Sequence, residues 1–283
     1  MEKAYVYGLL AVFMWATVAS AFKLTLRHID YISMLFFSTF FSMVVLTCVA
    51  IATKKFHMIW KQEKNDLAKS AIIGILNPFL YYMALFKAYS ILPAQEALVL
   101  NYTWPIVLVI FSIFILKQKI KAINLFAILL SFFGVVIIIT RGDVLGFRIT
   151  NITGSLIALS TTILWASFWI LNMKDGRDDA IKLLTNFLFG FAFIFAFSFP
   201  HLKYNFEGIL GCIYIGTFEM GVTFFIWLKA LQYANTTAQV GNLVYLSPFL
   251  SLIMIHFIVG EEIYISTLAG LILIITGIIL QKH

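Results

Sequence analysis

Apolar residues run almost unbroken along this chain, in stretches of about 20 separated by short polar or basic patches. The stretches lack the alternation of polar and apolar positions that a membrane β-barrel strand needs. Each is long enough to cross a hydrocarbon core about 30 Å thick as a helix, and a helix satisfies its own backbone in lipid. The pattern predicts spans near 4–24, 32–53, 68–89, 94–116 and 122–140. A second set falls near 151–172, 181–199, 207–231, 236–258 and 263–281. The stretch Arg141–Asn151, with Gly142, Asp143 and Gly146, reads as a loop between the two groups. The expected fold is therefore an all-α integral membrane protein of ten transmembrane helices, with halves at 1–145 and 146–283 forming one integrated domain.

The halves resemble each other. Gly74-Ile75-Leu76-Asn77-Pro78 aligns with Gly216-Thr217-Phe218-Glu219-Met220, and at the same offset Lys87-Ala88 meets Lys229-Ala230. After a one-residue slip, Tyr102-Thr103-Trp104-Pro105 meets Tyr245-Leu246-Ser247-Pro248, and Gly134 falls on Gly277. Trp15-Ala16 resembles Trp165-Ala166 in the first helix of each half. Five helices per repeat is an odd number, so the second repeat must start on the opposite side of the membrane. Such inverted repeats are a common construction of alternating-access carriers.

Composition agrees with the pattern. With 62% hydrophobic and 12% charged residues and a mean hydropathy of +0.97, the 283-residue chain has too little charge to cover a soluble surface. The net charge of +7 does not point to nucleic acid, because Lys and Arg sit between the apolar runs and not on one amphipathic face. They report topology instead. Fourteen of the 20 fall on the side of the N-terminus, including Lys54, Lys55, Lys61, Lys64 and Lys69, against six on the other side. Both termini are thus expected in the cytoplasm, with the chain in the inner (plasma) membrane. Leu9–Val18 followed by Ala19-Ser20-Ala21 imitates a signal peptide, but only Lys3 precedes it and the run has a later counterpart, so it reads as a retained span. Cys48 and Cys212 lie inside apolar runs with no Cys or His partner nearby, and read as packing residues.

The segment Glu96-Ala97-Leu98-Val99-Leu100-Asn101-Tyr102-Thr103-Trp104-Pro105 is similar to the "EA…NYLWP" stretch of bacterial aromatic amino acid exporters. Ser247-Pro248 followed by Gly260-Glu261 resembles the "P…GE" signature of the same group. Across its length the chain resembles the EamA-type carriers of the drug/metabolite transporter superfamily. The resemblance implies ten helices, cytoplasmic termini, a central cavity and a small metabolite as cargo. Lys117-Gln118-Lys119 departs from the pattern, standing where the family often has Gly-Glu.

Glu219 is the sharpest candidate for the work. It falls about twelve residues into its span, near mid-bilayer at 1.5 Å per residue. A charge there costs at least a few kcal/mol unless it faces a polar cavity or a partner. It suits a proton acceptor or a counter-ion for a substrate amine; a Glu bonded across a helix pair is the structural alternative. Asn77, its mate across the repeat, precedes Pro78, which frees a backbone carbonyl and can kink the helix toward a cavity. Asn101, Tyr102 and Trp104 before Pro105, and Gln239, Asn242 and Tyr245 before Pro248, offer polar groups and aromatic faces to a substrate. Helix packing is the alternative for each.

Tyr82 and Trp165 are further candidates for the cavity wall, as are Trp15, Trp169 and Trp227, though aromatics make up 17% of the chain. Trp60 beside a basic loop reads as an interfacial anchor. His256 suits a packed neutral imidazole, Glu261 and Glu262 a cap or gate, and Lys87 and Lys229 snorkelling to headgroups.

The leading function is a secondary transporter exporting amino acids or related compounds by alternating access, with proton coupling through Glu219. Its partners would be a small-molecule substrate and the lipid bilayer, as a monomer or homodimer, with no cofactor. An intramembrane enzyme would need a motif such as H-E-x-x-H or G-x-S-x-G, and none occurs. A passive channel for small polar solutes is the remaining alternative, without a recognisable filter sequence. No G-x-x-x-x-G-K-[ST] loop is present, so a gradient must supply the energy unless a separate subunit does.

Overall fold

Helix is the only regular structure among the described residues of the computed structural model, which are 2–251, 253 and 264–281. Among the described residues, eight helices are long and apolar enough to cross a membrane. They are α1 (Glu2–Thr25), α2 (Tyr31–Ala52), α3 (Lys64–Ile91), α4 (Glu96–Ile115), α5 (Ala122–Ile139), α6 (Ile152–Lys174), α7 (Asp179–His201) and α8 (Phe206–Tyr233). A short helix, α9 (Thr237–Gly241), continues into the 3-10 turn Asn242–Leu246, and the apolar helix α10 (Ile265–Leu280) follows. The far end of the expected span 236–258, with His256, Gly260, Glu261 and Glu262, lies outside the described residues.

Polar caps set the helix starts. Asp30 accepts from the amides of Ile32 and Ser33 at 3.0 Å, Asn151 from Gly154 at 2.9 Å, Asp178 from Ala180 at 3.0 Å and Asn205 from Gly208 at 2.9 Å. Each satisfies an amide that the first helical turn leaves free. Just past the ends of α2, α4 and α5, Lys54, Lys117 and Arg141 take positive φ, a left-handed termination at which a cation also suits the negative helix end.

Lipid is the natural neighbour of the outer surface, where Phe114, Leu156, Ile265 and Ile272 are exposed. Inside, small residues bring backbones together. A methyl group on Gly134 would stand 2.6 Å from the carbonyl oxygen of Gly270, so α5 and α10 touch backbone to backbone. The remaining core is aromatic and aliphatic, with Trp169, Trp227, Tyr82 and Phe86 fully buried.

Four of the long helices are interrupted near mid-length. α1 breaks between Trp15 and Val18, α4 between Asn101 and Trp104, and α8 between Phe218 and Val222. In α3 the π-helical turn Ile75–Leu80 contains Asn77 in extended backbone (φ −155°, ψ 123°) ahead of a cis Asn77–Pro78 bond. Irregular backbone at membrane depth is tolerated where protein or a cavity surrounds it. These breaks are where the pocket lies.

Candidate functional site

The breaks converge on one pocket. Trp15 and Val18 flank the break of α1, Tyr81 follows the turn in α3, and Asn101, Tyr102 and Trp104 surround the break of α4. Glu219 caps the C-terminal end of the first segment of α8, and Val244 comes from the 3-10 turn after α9. Trp165 enters from the middle of α6, and Phe22, Leu85, Tyr89 and Leu98 complete the wall. The pocket's cavity volume is about 60 Å³.

Its chemistry is uneven. Glu219 is 5% exposed and accepts a hydrogen bond from the Tyr82 hydroxyl at 2.9 Å. It is the one charged group among the described residues of the wall. Around it stand rings: Tyr81 lies 4.4 Å from Trp165 between centroids, and Trp15 and Trp104 each lie 6.0 Å from the same indole. Trp227, behind the wall, packs 5.1 Å from Trp15 and 5.7 Å from Trp104. Four indoles from α1, α4, α6 and α8 thereby cluster at the pocket, three of them in its wall. Asn101 donates through Nδ2 to Thr161 Oγ1 at 3.1 Å, tying α4 to α6.

The expected residues divide by place. Glu219, Asn101, Tyr102, Trp104 and Trp165 share the wall, and Tyr82 stands just behind, holding the carboxylate. Tyr245 packs behind Tyr102 at 6.4 Å, fully buried, and Asn242 is equally buried. Gln239 accepts from the amide of Asn235 at 3.0 Å and so braces the turn into α9. Asn77 sits buried in the turn of α3, away from the wall, with neither side-chain atom hydrogen bonded within the protein. Sequence reasoning did not single out Phe22, Tyr81 or Tyr89. The signal was present as spacing: 15, 18 and 22, and 81, 85 and 89, each fall on one helical face.

A polar cluster lies toward the N-terminal end of the molecule, beyond the indoles. Arg177, in the loop after α6, donates from Nε to both oxygens of Asp175 at 3.0 Å, from Nη1 to Gln62 at 2.5 Å and from Nη2 to Ser70 at 2.9 Å. Gln62 donates to Thr185 of α7 at 2.9 Å. Asp179 receives Lys182 and Gln232 at 2.8 and 2.7 Å, and pairs also with Lys229. Lys229, expected to snorkel, is instead held by this carboxylate, which stands within its reach at the start of α7. Asp175 lies outside the spans. Burial opposes its charge, but the hydrogen bonds from Arg177 outweigh it and Lys182 adds attraction, leaving its carboxyl below the usual carboxylate range.

At the opposite end the ties are lighter. Glu96 accepts from the amide and hydroxyl of Thr150 at 3.1 and 2.6 Å and from Ser155 at 2.6 Å. Lys23 donates to the carbonyls of Tyr89 and Leu92 at 2.6 and 3.3 Å.

The sequence matches the model of the EamA-like transporter family over residues 2–140 and again over 152–281. An uncharacterized transporter of Clostridium kluyveri is 26% identical, the match covering 99% of this chain and 93% of that protein. An aromatic amino acid exporter of Ancylobacter novellus is 22% identical across 64% of each chain. A solved crystal structure superposes with a TM-score of 0.82 at 19% identity, covering 98% of this chain and 96% of its own, which speaks to the fold alone.

Proposed function

The chain belongs to the EamA-like transporter family, and on that premise we propose that it is a secondary carrier exporting amino acids or related compounds by alternating access. Transport across a membrane follows from the family and from the eight apolar helices. Family and relatives alike point to transport and not to catalysis. The exporter from Ancylobacter novellus supports the cargo class.

The architecture we assign is ten transmembrane helices in two inverted five-helix repeats, residues 1–145 and 146–283. The matched positions of the halves and the family match in two consecutive pieces support it. The 14-to-6 charge asymmetry supports cytoplasmic termini in the inner (plasma) membrane.

The observation that carries the reading is a lone carboxylate in a pocket built at helix breaks. Glu219 serves there as counter-ion for an amine or as proton acceptor, and exchange between the two would couple transport to a proton gradient. The test is counterflow of amino acids, nucleosides and organic cations in proteoliposomes, with and without a pH gradient. Saturable counterflow is expected; linear, unsaturable flux would make the protein a channel and end the carrier reading. Accumulation driven by the gradient should vanish in Glu219→Gln, and unchanged accumulation would remove Glu219 from coupling.

A further inference from the structure

We propose that, within the cargo of the carrier reading above on which this inference rests, the pocket favours a monocationic amine on a flat apolar body over the amino acid that carries a carboxylate on the same body. Among the described residues of the wall there is no Lys, Arg or His, and Glu219 is the one acid. An ammonium group entering the pocket meets a counter-charge, whereas a carboxylate meets none. Leaving water without a partner costs a charge several kcal/mol.

The rings act in the same direction. Trp15 and Trp165 line the pocket, and their indole nitrogens are buried without a hydrogen-bond partner in the protein. An aromatic face carries the negative end of the ring quadrupole, which attracts a cation and repels an anion. Tyr81 against Trp165 at 4.4 Å, with Trp15 and Trp104 at 6.0 Å, sets several faces around one volume. A flat body stacks there while its amine reaches Glu219.

One cation stands close enough to change this reading. Lys23 adjoins Phe22 of the wall, but its Nζ already donates to the carbonyls of Tyr89 and Leu92, at the end of α3 and just beyond it. It also lies 5.9 Å from the ring centroid of Tyr89. A substrate carboxylate would have to displace these contacts to use it. The hydroxyl of Tyr82 is committed to Glu219, and the wall's own hydroxyls, of Tyr81, Tyr89 and Tyr102, are neutral donors that bring no counter-charge.

The experiment is calorimetric titration of the purified full-length protein with three probes that share a body: phenethylamine, phenylalanine and 3-phenylpropionate. The expected order is phenethylamine first, by roughly 10-fold or more over phenylalanine, with 3-phenylpropionate weakest. Phenylalanine binding as tightly as phenethylamine, or no binding by any of the three, would overturn the proposal. The ranking in the unaltered protein decides the matter without a variant. Glu219→Gln should then remove the amine's advantage over phenylalanine and 3-phenylpropionate, with thermal melting in detergent checking that the variant is folded. A preference for the amine that survives in that variant overturns the role given to Glu219. Binding in the expected order without counterflow in proteoliposomes would defeat the carrier reading and leave the pocket's selectivity standing.

Discussion

Asp179 and Glu219 are equally hidden, each 5% exposed, yet the protein treats their charges differently. Asp179 is met by Lys182, Lys229 and Gln232. Glu219 is met by one neutral phenol and otherwise faces rings and open space. A buried charge must be matched, and the partner can come from within the fold or from outside it. Asp179 is matched by the protein and fastens α7 to α8. Glu219 is left for a proton or a cation to match, which is what a binding site needs and a structural joint does not. Burial alone separates neither from the other; the partners do.

Asp179→Asn should have the largest effect, and on stability. It would leave Lys182, fully buried, without its ion-pair partner, at a cost of roughly 3–5 kcal/mol. Thermal melting in detergent measures this, and adding Lys182→Met should recover part of the loss. A variant that melts like the parent would mean the pair contributes little.

Glu219→Gln should act on transport. Removing one member of a buried charge pair predicts roughly a 100-fold loss of counterflow efficiency for an amine substrate, with melting little changed. If stability fell and transport persisted, the contrast between the two carboxylates would reverse.

Arg177→Lys should cost about 1–2 kcal/mol, because a lysine cannot reach Asp175, Gln62 and Ser70 at once. Its pH signature is specific. A carboxyl held below the ordinary Asp value of about 3.9 contributes stability above that pH and loses it as pH falls through the folded value. Melting of the parent should therefore drop as pH falls below about 4, and the variant's drop should be smaller. Equal slopes would separate Asp175 from Arg177.

Tyr82→Phe is the mildest change. Losing one hydrogen bond to Glu219, worth about 1 kcal/mol, should raise half-saturation in counterflow roughly five-fold without changing the ranking of substrates. An unchanged value would mean that Glu219 holds its position without the phenol.

Much of this could be read along the chain. The expected spans 32–53 and 122–140 fall within a residue of Tyr31–Ala52 and Ala122–Ile139, because hydrocarbon thickness and backbone satisfaction leave a helix few alternatives. α3 starts earlier than its apolar run, at Lys64, since a helix can extend through the polar boundary carrying Asp66 and Lys69. The break at Pro78 was legible from the proline. The break in α1 carries neither Gly nor Pro. Thr17 donates back to the carbonyl of Met14 at 3.0 Å and also bonds Tyr214 of α8, a contact made only on folding. In the site, a carboxylate in an apolar run announces itself, but Tyr81 and Tyr89 are lost among 17% aromatics.

The sequence by itself determined that the chain is helical and membrane-embedded, and that one acid sits at mid-span, because hydropathy and helix length are local properties with large energies. Tertiary structure decided what that acid meets. Asn77 and Glu219 align along the sequence, yet one is enclosed and the other lines the pocket. Lys229 is bound to Asp179 across two helices, and four tryptophans from separate helices cluster at the pocket. Such partnerships depend on how helices far apart in sequence are packed, and no single run of residues carries that information.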